Sequence, residues 1–407
     1  MKCGLLGRKL GHSYSPQIHG YLGNYSYDLF EVEPEDLASF LRCGDFHGLN
    51  VTIPYKKDVI PYCDELSDVA KRLGAVNTIV RRSDGTLIGH NTDYFGFASM
   101  LRRSGLQIRG KKILVLGSGG ASATVTAVLK EAHANVIVVS RSGENNYHNL
   151  HRHADASVIV NTTPVGMYPE VGVAPVDISI FPCLEGVLDV VYNPAKTQLL
   201  LDAQTRGLIT ENGLWMLVSQ AKESAEWFQG VPIPDDLISK IHTLLRRQME
   251  NIILVGMPGC GKSTLGKLLA QMLGKTFIDA DDEVVKVAGR SIAEIFADSG
   301  EEGFRKIETD VLRKLGKQSG LVIATGGGCV TRLDNYPLLK QNGNIIWLQR
   351  NLEQLPTDGR PLSLTNKLQD MYAIREPLYT RFADTTVENN TSLENALNTI
   401  LTWEAQL

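Results

Sequence analysis

No stretch of this 407-residue chain approaches the roughly 20 consecutive apolar residues of a membrane-spanning helix. Its opening, MKCGLLGRKLGHS, holds no apolar run long enough for a signal peptide. The 41 basic and 45 acidic residues leave a formal charge of -4, without the electrostatic footprint that nucleic acid or an anionic membrane attracts. The six cysteines (Cys3, Cys43, Cys63, Cys183, Cys260, Cys329) include no CxxC pair, which argues against a disulfide framework or zinc site and for reduced thiols. His148, His151 and His153 lie in NYHNLHRH, yet no carboxylate or cysteine accompanies them at ligand spacing, so they read as a solvated loop. Internal repeats and low-complexity segments are also missing. These absences imply a cytosolic protein of small-molecule chemistry, with neither nucleic acid nor membrane as partner; its oligomeric state stays open.

What is present is a regular alternation of apolar runs with helical patterns, the signature of α/β units built on mostly parallel sheets. The length allows two or three domains. A first unit spans residues 1–92, with strands expected at Cys3 to Leu6, Leu49 to Thr52 and Ala75 to Val80, and a helix start at Ser15 as N-cap before Pro16. A second unit spans 93–213, with strands at Ile113 to Leu116, Val136 to Val139, Val158 to Val160 and Val187 to Val190. The amphipathic stretch Leu214 to Phe228 is placed to pack back on the first unit, within a completing segment 214–245. GVPIPDD at 230–236 breaks regular structure and, with the helical stretch Leu237 to Glu250, makes a connector over 230–250. A third unit fills 251–407.

Two glycine loops carry different chemistries. GSGGAS (Gly117 to Ser122) follows ILVL, so Gly117 serves a tight turn, Gly119 admits a pyrophosphate to the backbone, and the helix beginning near Gly120 points its positive end there. Its sixth position is Ser122 rather than Gly or Ala. About twenty residues on, where NAD enzymes place an acidic residue, stand Ser140, Arg141 and Ser142, a cation with two hydroxyls suited to a 2′-phosphate and hence to NADP. GMPGCGKST (Gly256 to Thr264) follows IILV and fits GxxxxGK[ST]. Backbone N–H groups of Gly259, Cys260, Gly261, Lys262, Ser263 and Thr264 would wrap phosphates, with Lys262 reaching the β and γ groups of ATP and Ser263 binding Mg²⁺. Cys260 reads as a small loop filler.

HSYSP (His12 to Pro16), NVTIPYK (Asn50 to Lys56), GAVNT (Gly74 to Thr78), GHNTDYFGF (Gly89 to Phe97) and GLWMLVSQA (Gly213 to Ala221) occur in the order of the shikimate dehydrogenase family, which residues 1 to about 245 resemble. The resemblance implies a two-lobed dehydrogenase: an α/β substrate lobe plus a Rossmann NADP lobe. In it Ser13 and Ser15 would bind the substrate carboxylate. Thr52, Asn77, Asp93, Tyr192 and Gln220 would hold ring hydroxyls, and Lys56 with Asp93 would form the catalytic pair. An ammonium beside a carboxylate is the pairing that polarises a ring ketone and supplies its proton. Gly117, Ser118, Gly119, Gly120, Ala121, Ser140, Arg141 and Ser142 match the family's cofactor positions, with Val190 and Gly213 at the nicotinamide end. After Arg141, however, Gly143, Glu144 and Asn145 stand where many members carry a second basic residue, and the segment to Asn161 is short, which leaves the adenosine side more open.

FIDADDEV (Phe277 to Val284), EEGFRKIE (Glu301 to Glu308), ATGGGCV (Ala324 to Val330), TDGRPL (Thr357 to Leu362) and REPLY (Arg375 to Tyr379) resemble shikimate kinase from about Asn251 onward, implying a P-loop α/β/α domain with a parallel sheet. Asp281 would then accept or orient the acceptor hydroxyl's proton, Asp279 would join the Mg²⁺ shell, and Arg305 and Arg375 would fork onto the substrate carboxylate, with Gly327 touching the ring. Arg360, in the Pro-bounded stretch Asn351 to Thr365, would meet ATP phosphates as that stretch closes. Asn389, Asn390 and Thr391 occupy the region where many members place a cation near the adenine.

Together the resemblances imply a bifunctional enzyme of aromatic amino-acid biosynthesis: NADPH-dependent reduction of 3-dehydroshikimate to shikimate, then ATP- and Mg²⁺-dependent phosphorylation to shikimate 3-phosphate. Two alternatives stand beside it, a quinate/shikimate dehydrogenase joined to the kinase and a catalytically dead ligand-sensing fusion.

Overall fold

The structure, a computed structural model, describes residues 1–11, 13–355 and 367–406. The chain divides into two compact units. One comprises Met1–Gly166, Val173–Tyr192 and Asp202–Leu245; the other comprises Arg246–Leu407 with the short segments Met167–Gly172 and Asn193–Leu201. Among the described residues no helix is long and apolar enough to cross a membrane, and all six cysteines are free.

The first unit contains two sheets. The first is formed by β1 (Lys2–Gly7), β2 (Ser26–Glu31), β3 (Gly48–Val51), β4 (Glu65–Leu66), β5 (Thr78–Arg81) and β6 (Leu87–His90), in the order β2-β1-β3-β5-β6-β4. Three of its five pairings are parallel, and the exception is β5, which runs antiparallel to both β3 and β6. The cause is the tight turn Arg82 to Thr86, closed by Arg82 N donating to Thr86 O at 2.9 Å, with Gly85 at φ +89°. Such a turn can join only antiparallel neighbours. β5 also starts three residues later than the sequence implies, because Val76 N donates to Lys56 O at 2.7 Å and so holds that loop instead of extending the ladder.

The second sheet, β7 (Lys112–Leu116), β8 (Asn135–Val139), β9 (Val158–Asn161), β10 (Gly186–Asp189) and β11 (Ile209–Glu211), is wholly parallel in the order β11-β10-β9-β7-β8. KILVL and VIVN are almost continuously buried, as parallel strands covered on both faces must be. Since β8 and β9 flank β7 on opposite sides, the chain reverses direction beside the glycine loop, the place where doubly wound sheets bind ligands. The helix Leu214–Gln229 packs on the helices Ser15–Leu22 and Asp93–Ser104, and its Phe228 joins Cys3 and Val80 in a buried cluster, so it does return to the first sheet.

The second unit holds β12 (Asn251–Val255), β13 (Thr276–Asp279), β14 (Leu321–Ala324), β15 (Gly343–Gln349) and β16 (Thr385–Glu388), all parallel in the order β13-β14-β12-β15-β16. The central strand NIILV is buried at every position and feeds the second glycine loop and then the helix Lys262–Leu273. Other boundaries move by a residue: the expected helix Leu237 to Glu250 is Asp236–Met249.

Candidate active sites

In the first unit a cavity of about 310 Å³ is lined by Ser13, Ser15, Thr52, Lys56, Asn77, Asp93, Tyr192 and Gln220, residues dispersed over more than half the chain. At its heart Lys56 Nζ donates to Asp93 Oδ2 at 2.5 Å, with the two side chains 28% and 16% exposed. That is open enough for substrate and closed enough for the pair to outlast competition from water. Asp93 opens the helix Asp93–Ser104, where the N-terminal dipole favours its negative charge. The preceding residue is braced: Thr92 N donates to Asn77 Oδ1 at 2.7 Å, Asn77 Nδ2 donates to Thr92 Oγ1 at 3.0 Å, and Thr92 Oγ1 lies 3.4 Å from Gln220 Oε1.

Ser15 does not cap its helix. Tyr14 is the N-cap and Ser15 the first helical residue, and it is Ser13 Oγ that accepts from Ser15 N at 3.2 Å. Tyr14 O accepts from Ile18 N at 2.9 Å, so the first helical turn closes one residue earlier than a Ser15 cap would allow, and Ser15 is left among the residues that line the cavity. Tyr14 meets Tyr192 edge-on, ring centroids 6.3 Å apart, and burial followed by Tyr14 raises the Tyr192 phenol's pKa above its ordinary value.

Ala121, Val190 and Gly213 line the same cavity. Gly117 sits at φ +107°, and a β-carbon there would stand 2.9 Å from Thr162 Oγ1, so the loops after β7 and β9 meet without room for a side chain. A β-carbon on Gly119 or Gly120 would meet nothing within 4 Å: this side of the loop, with Ser118, is open at the start of the helix Gly120–Glu131. A glycine-lined opening at a helix N-terminus, continuous with a ketone-sized cavity, suits a dinucleotide. Ser140, Arg141 and Ser142 follow β8; Ser140 N donates to Asn145 O at 3.0 Å, which folds the short segment into a compact loop with Arg141 exposed on it.

The second unit gathers its predicted residues around the P-loop. Lys262 is buried, its Nζ donating to Gly256 O at 2.8 Å and Met257 O at 3.0 Å. Ser263 Oγ donates to Asp279 Oδ2 at 2.6 Å, a hydroxyl and a carboxylate side by side at the mouth of the loop, and such oxygen donors suit Mg²⁺. Among the described residues no group of three or more His, Cys, Asp or Glu side chains forms a ready-made metal cage. Asp281 faces Gly326, where an added β-carbon would lie 2.8 Å from Asp281 Oδ1 and 2.6 Å from Glu308 Oε1. Burial and then the neighbouring Asp279 charge raise the Asp281 pKa, while Lys262 and Arg305 pull it down. Gly327 lies against Pro258 of the P-loop, and its carbonyl accepts from the Tyr379 hydroxyl, which also contacts Arg375.

Arg305 is nearly buried; its Nη1 donates to Glu308 Oε2 at 2.8 Å and its Nη2 to Glu301 Oε1 at 3.0 Å. Glu308 is wholly buried, and its pKa is raised by burial against the opposing pull of Arg305. The sequence reading assigned no role to Glu308 or Tyr379, although both lie inside quoted motifs; the only local signal was Glu308 three residues after Arg305, one helical turn away. Arg360, His12 and the part of the stretch Asn351 to Thr365 beyond residue 355 lie outside the described residues.

Comparison with known proteins gives these two sites their kin. The shikimate dehydrogenase (NADP(+)) of Clostridium perfringens strain SM101 is 36% identical over 265 residues, 60% of this chain and 97% of that protein. The chain belongs to the shikimate dehydrogenase family. The family described as shikimate dehydrogenase substrate binding domain matches residues 5–79, and the shikimate kinase family matches residues 258–404. This chain therefore carries a shikimate kinase domain in its C-terminal part. Among solved structures, shikimate dehydrogenase 1 of Peptoclostridium difficile is 38% identical with a TM-score of 0.55, over 60% of this chain and 97% of its own. The Thermus thermophilus shikimate 5-dehydrogenase in complex with NADP(H) and shikimate is 30% identical with a TM-score of 0.55, over 60% and 98%.

Proposed function

We propose that this bifunctional shikimate-pathway enzyme reduces 3-dehydroshikimate to shikimate with NADPH and phosphorylates shikimate at its 3-hydroxyl with ATP and Mg²⁺. The observation that carries the first half is the Lys56–Asp93 pair inside a cavity shared by the substrate-side residues and Ala121, Val190 and Gly213. Bound NADPH supplies a hydride to the ring carbon. Lys56 gives its ammonium proton to the carbonyl oxygen, so the C=O double bond becomes a hydroxyl, and Asp93 keeps the ammonium charged and aimed until that transfer. Ser13 and Ser15 hold the ring by its carboxylate; Asn77, Thr52, Tyr192 and Gln220 select its hydroxyl pattern. Gly117 to Ala121 receive the pyrophosphate.

For the second half, Asp281 takes the acceptor hydroxyl's proton as the oxygen bonds to the γ-phosphorus and the bond to the ADP oxygen breaks. Ser263 and Asp279 would hold Mg²⁺, Lys262 neutralises the phosphates, and Arg305 and Arg375 grip the substrate carboxylate. Arg360 belongs to the same proposal as a phosphate contact. In domain terms, residues 1–92 with 214–245 form the substrate lobe, 93–213 the NADP lobe, 230–250 the connector and 251–407 the kinase.

A coupled assay on the purified chain tests the whole reading. NADPH oxidation should follow addition of 3-dehydroshikimate, and shikimate 3-phosphate should appear only when ATP and Mg²⁺ are added. Ligand binding without turnover in both steps would refute it.

Cofactor choice has its own test. Arg141 is the cation of the Ser140–Ser142 segment expected to meet the 2′-phosphate, and charge-assisted hydrogen bonds are worth about 1.5–3 kcal/mol. Arg141→Ala should raise the KM for NADPH about tenfold and leave that for NADH unchanged. Equal changes for both cofactors would remove Arg141 from the 2′-phosphate site.

A further inference from the structure

Asn389 enters the sequence reading only as the place of a missing cation, yet the structure buries it against the P-loop. It directly follows β16, is 6% exposed, and donates from Nδ2 to Cys260 O at 2.8 Å. Its own backbone N–H donates to Gln349 O at 2.8 Å, which ties it to the end of β15. The next residue is anchored too, Asn390 Oδ1 accepting from Asn351 N at 2.7 Å. Asn389 is therefore rigidly mounted, and its amide reaches the loop from 129 positions away in the chain.

A phosphate cradle works only if its N–H groups face the ligand and its carbonyl oxygens face away. Gly256 O and Met257 O accept from Lys262 Nζ, and Gly261 O accepts from Leu265 N at 2.9 Å; these partners belong to the loop and its own helix. Cys260 O is held from elsewhere. In a planar trans peptide the C=O and the following N–H point in opposite directions, so pinning Cys260 O on Asn389 aims Gly261 N–H to the other side. The fit leaves no slack: Gly261 sits at φ +101°, and a β-carbon on it would stand 2.7 Å from Asn389 Nδ2.

We propose that Asn389 is a positioning residue for the nucleotide: it locks the Cys260–Gly261 peptide so that Gly261 N–H faces the phosphates. The proposal rests on the reading of the second unit as an ATP-dependent shikimate kinase. It assigns the neutral residue after β16 to the phosphate end of the nucleotide, where it acts through the loop backbone without touching ligand.

The test uses the full chain with Asn389→Ala and Asn389→Asp. Alanine removes the donor; aspartate, of nearly the same shape, turns an oxygen toward Cys260 O. The KM for ATP and the Kd for ADP, the latter by titration calorimetry without NADP, should rise about tenfold for alanine, the scale of one lost buried hydrogen-bond partner, and further for aspartate. The KM for shikimate in the kinase reaction should stay within about twofold, because Arg305, Arg375 and Asp281 do not depend on this peptide. Unchanged nucleotide constants in both variants would overturn the proposal. So would parallel loss of ATP and shikimate affinity, or failure of both variants to fold, since either would make Asn389 a general stabilising residue. Wild-type protein that binds neither ADP nor shikimate would instead refute the kinase reading itself, before any variant is compared.

Discussion

Lys56→Ala should lower turnover of the reductase reaction by about 10² to 10⁴, the scale of a positioned proton donor, while the kinase rate of the same preparation stays within twofold. The 2.5 Å contact to Asp93 places the ammonium on a carboxylate that itself begins a helix, so the proton donor is aimed before substrate arrives. Removing the side chain leaves Asp93 on the wall of the 310 Å³ cavity, where water can enter to hydrate the freed carboxylate. The loss should therefore be chemical and not conformational. Following NADPH absorbance at saturating 3-dehydroshikimate isolates the effect on kcat. A fall smaller than tenfold would remove Lys56 from proton transfer, and loss of both activities in folded protein would contradict two separate sites.

Asp281→Asn should reduce phosphoryl transfer by a comparable factor, about 10² to 10⁴, and at the same time make the protein more stable at neutral pH. Burial, then the Asp279 charge, raises the folded-state pKa of Asp281 above its unfolded value. A carboxyl shifted in that direction contributes stability that is fully present below the unfolded pKa and is lost as pH rises through the folded one. At pH 7 its charge is therefore a cost to the fold, offset in part by Lys262 and Arg305, and asparagine removes that cost. Calorimetric melting at pH 7 should give the variant the higher Tm, with the gap narrowing toward acid pH as the wild-type carboxyl protonates. The kinase rate of the wild type should fall on the acid side at a pH above the ordinary aspartate range. A variant that melts lower than wild type at pH 7 would show that the Asp281 charge stabilises the empty site.

Much of both sites was legible because their chemistry is concentrated in short motifs whose residue types are rarely needed together for packing alone. Lys56, Asp93 and Gln220 could each be named from their neighbours in sequence. Their meeting in one cavity could not, since no local spacing relates positions 56, 93 and 220. The same limit hid Asn389, whose partner Cys260 is 129 residues away. Local signals were misread where two devices competed. Ser15 before Pro16 looks like a cap, but the helix already begins at Tyr14, whose carbonyl accepts from Ile18 N. The Asp84–Gly85 turn was present in the sequence and would have revealed the antiparallel β5–β6 pairing, had alternation of strands and helices not suggested mostly parallel order. The role of Glu308 was illegible for a different reason: a glutamate one turn from an arginine is usually a surface pair, and only its complete burial marks it as something else.

The helix that returns to the first sheet also acts as a ruler. Gly213 at its head forms the wall expected beside the nicotinamide, Gln220 two turns on reaches the ring-binding side, and Phe228 clamps the far end into the core. Seven residues at about 1.5 Å each set an interval of roughly 10 Å between the proposed nicotinamide wall and the proposed hydroxyl contact, and a single inserted residue would swing the latter by about 100°. Drift in length is thus tolerable in the loops on either side, whereas these two turns must keep their phase.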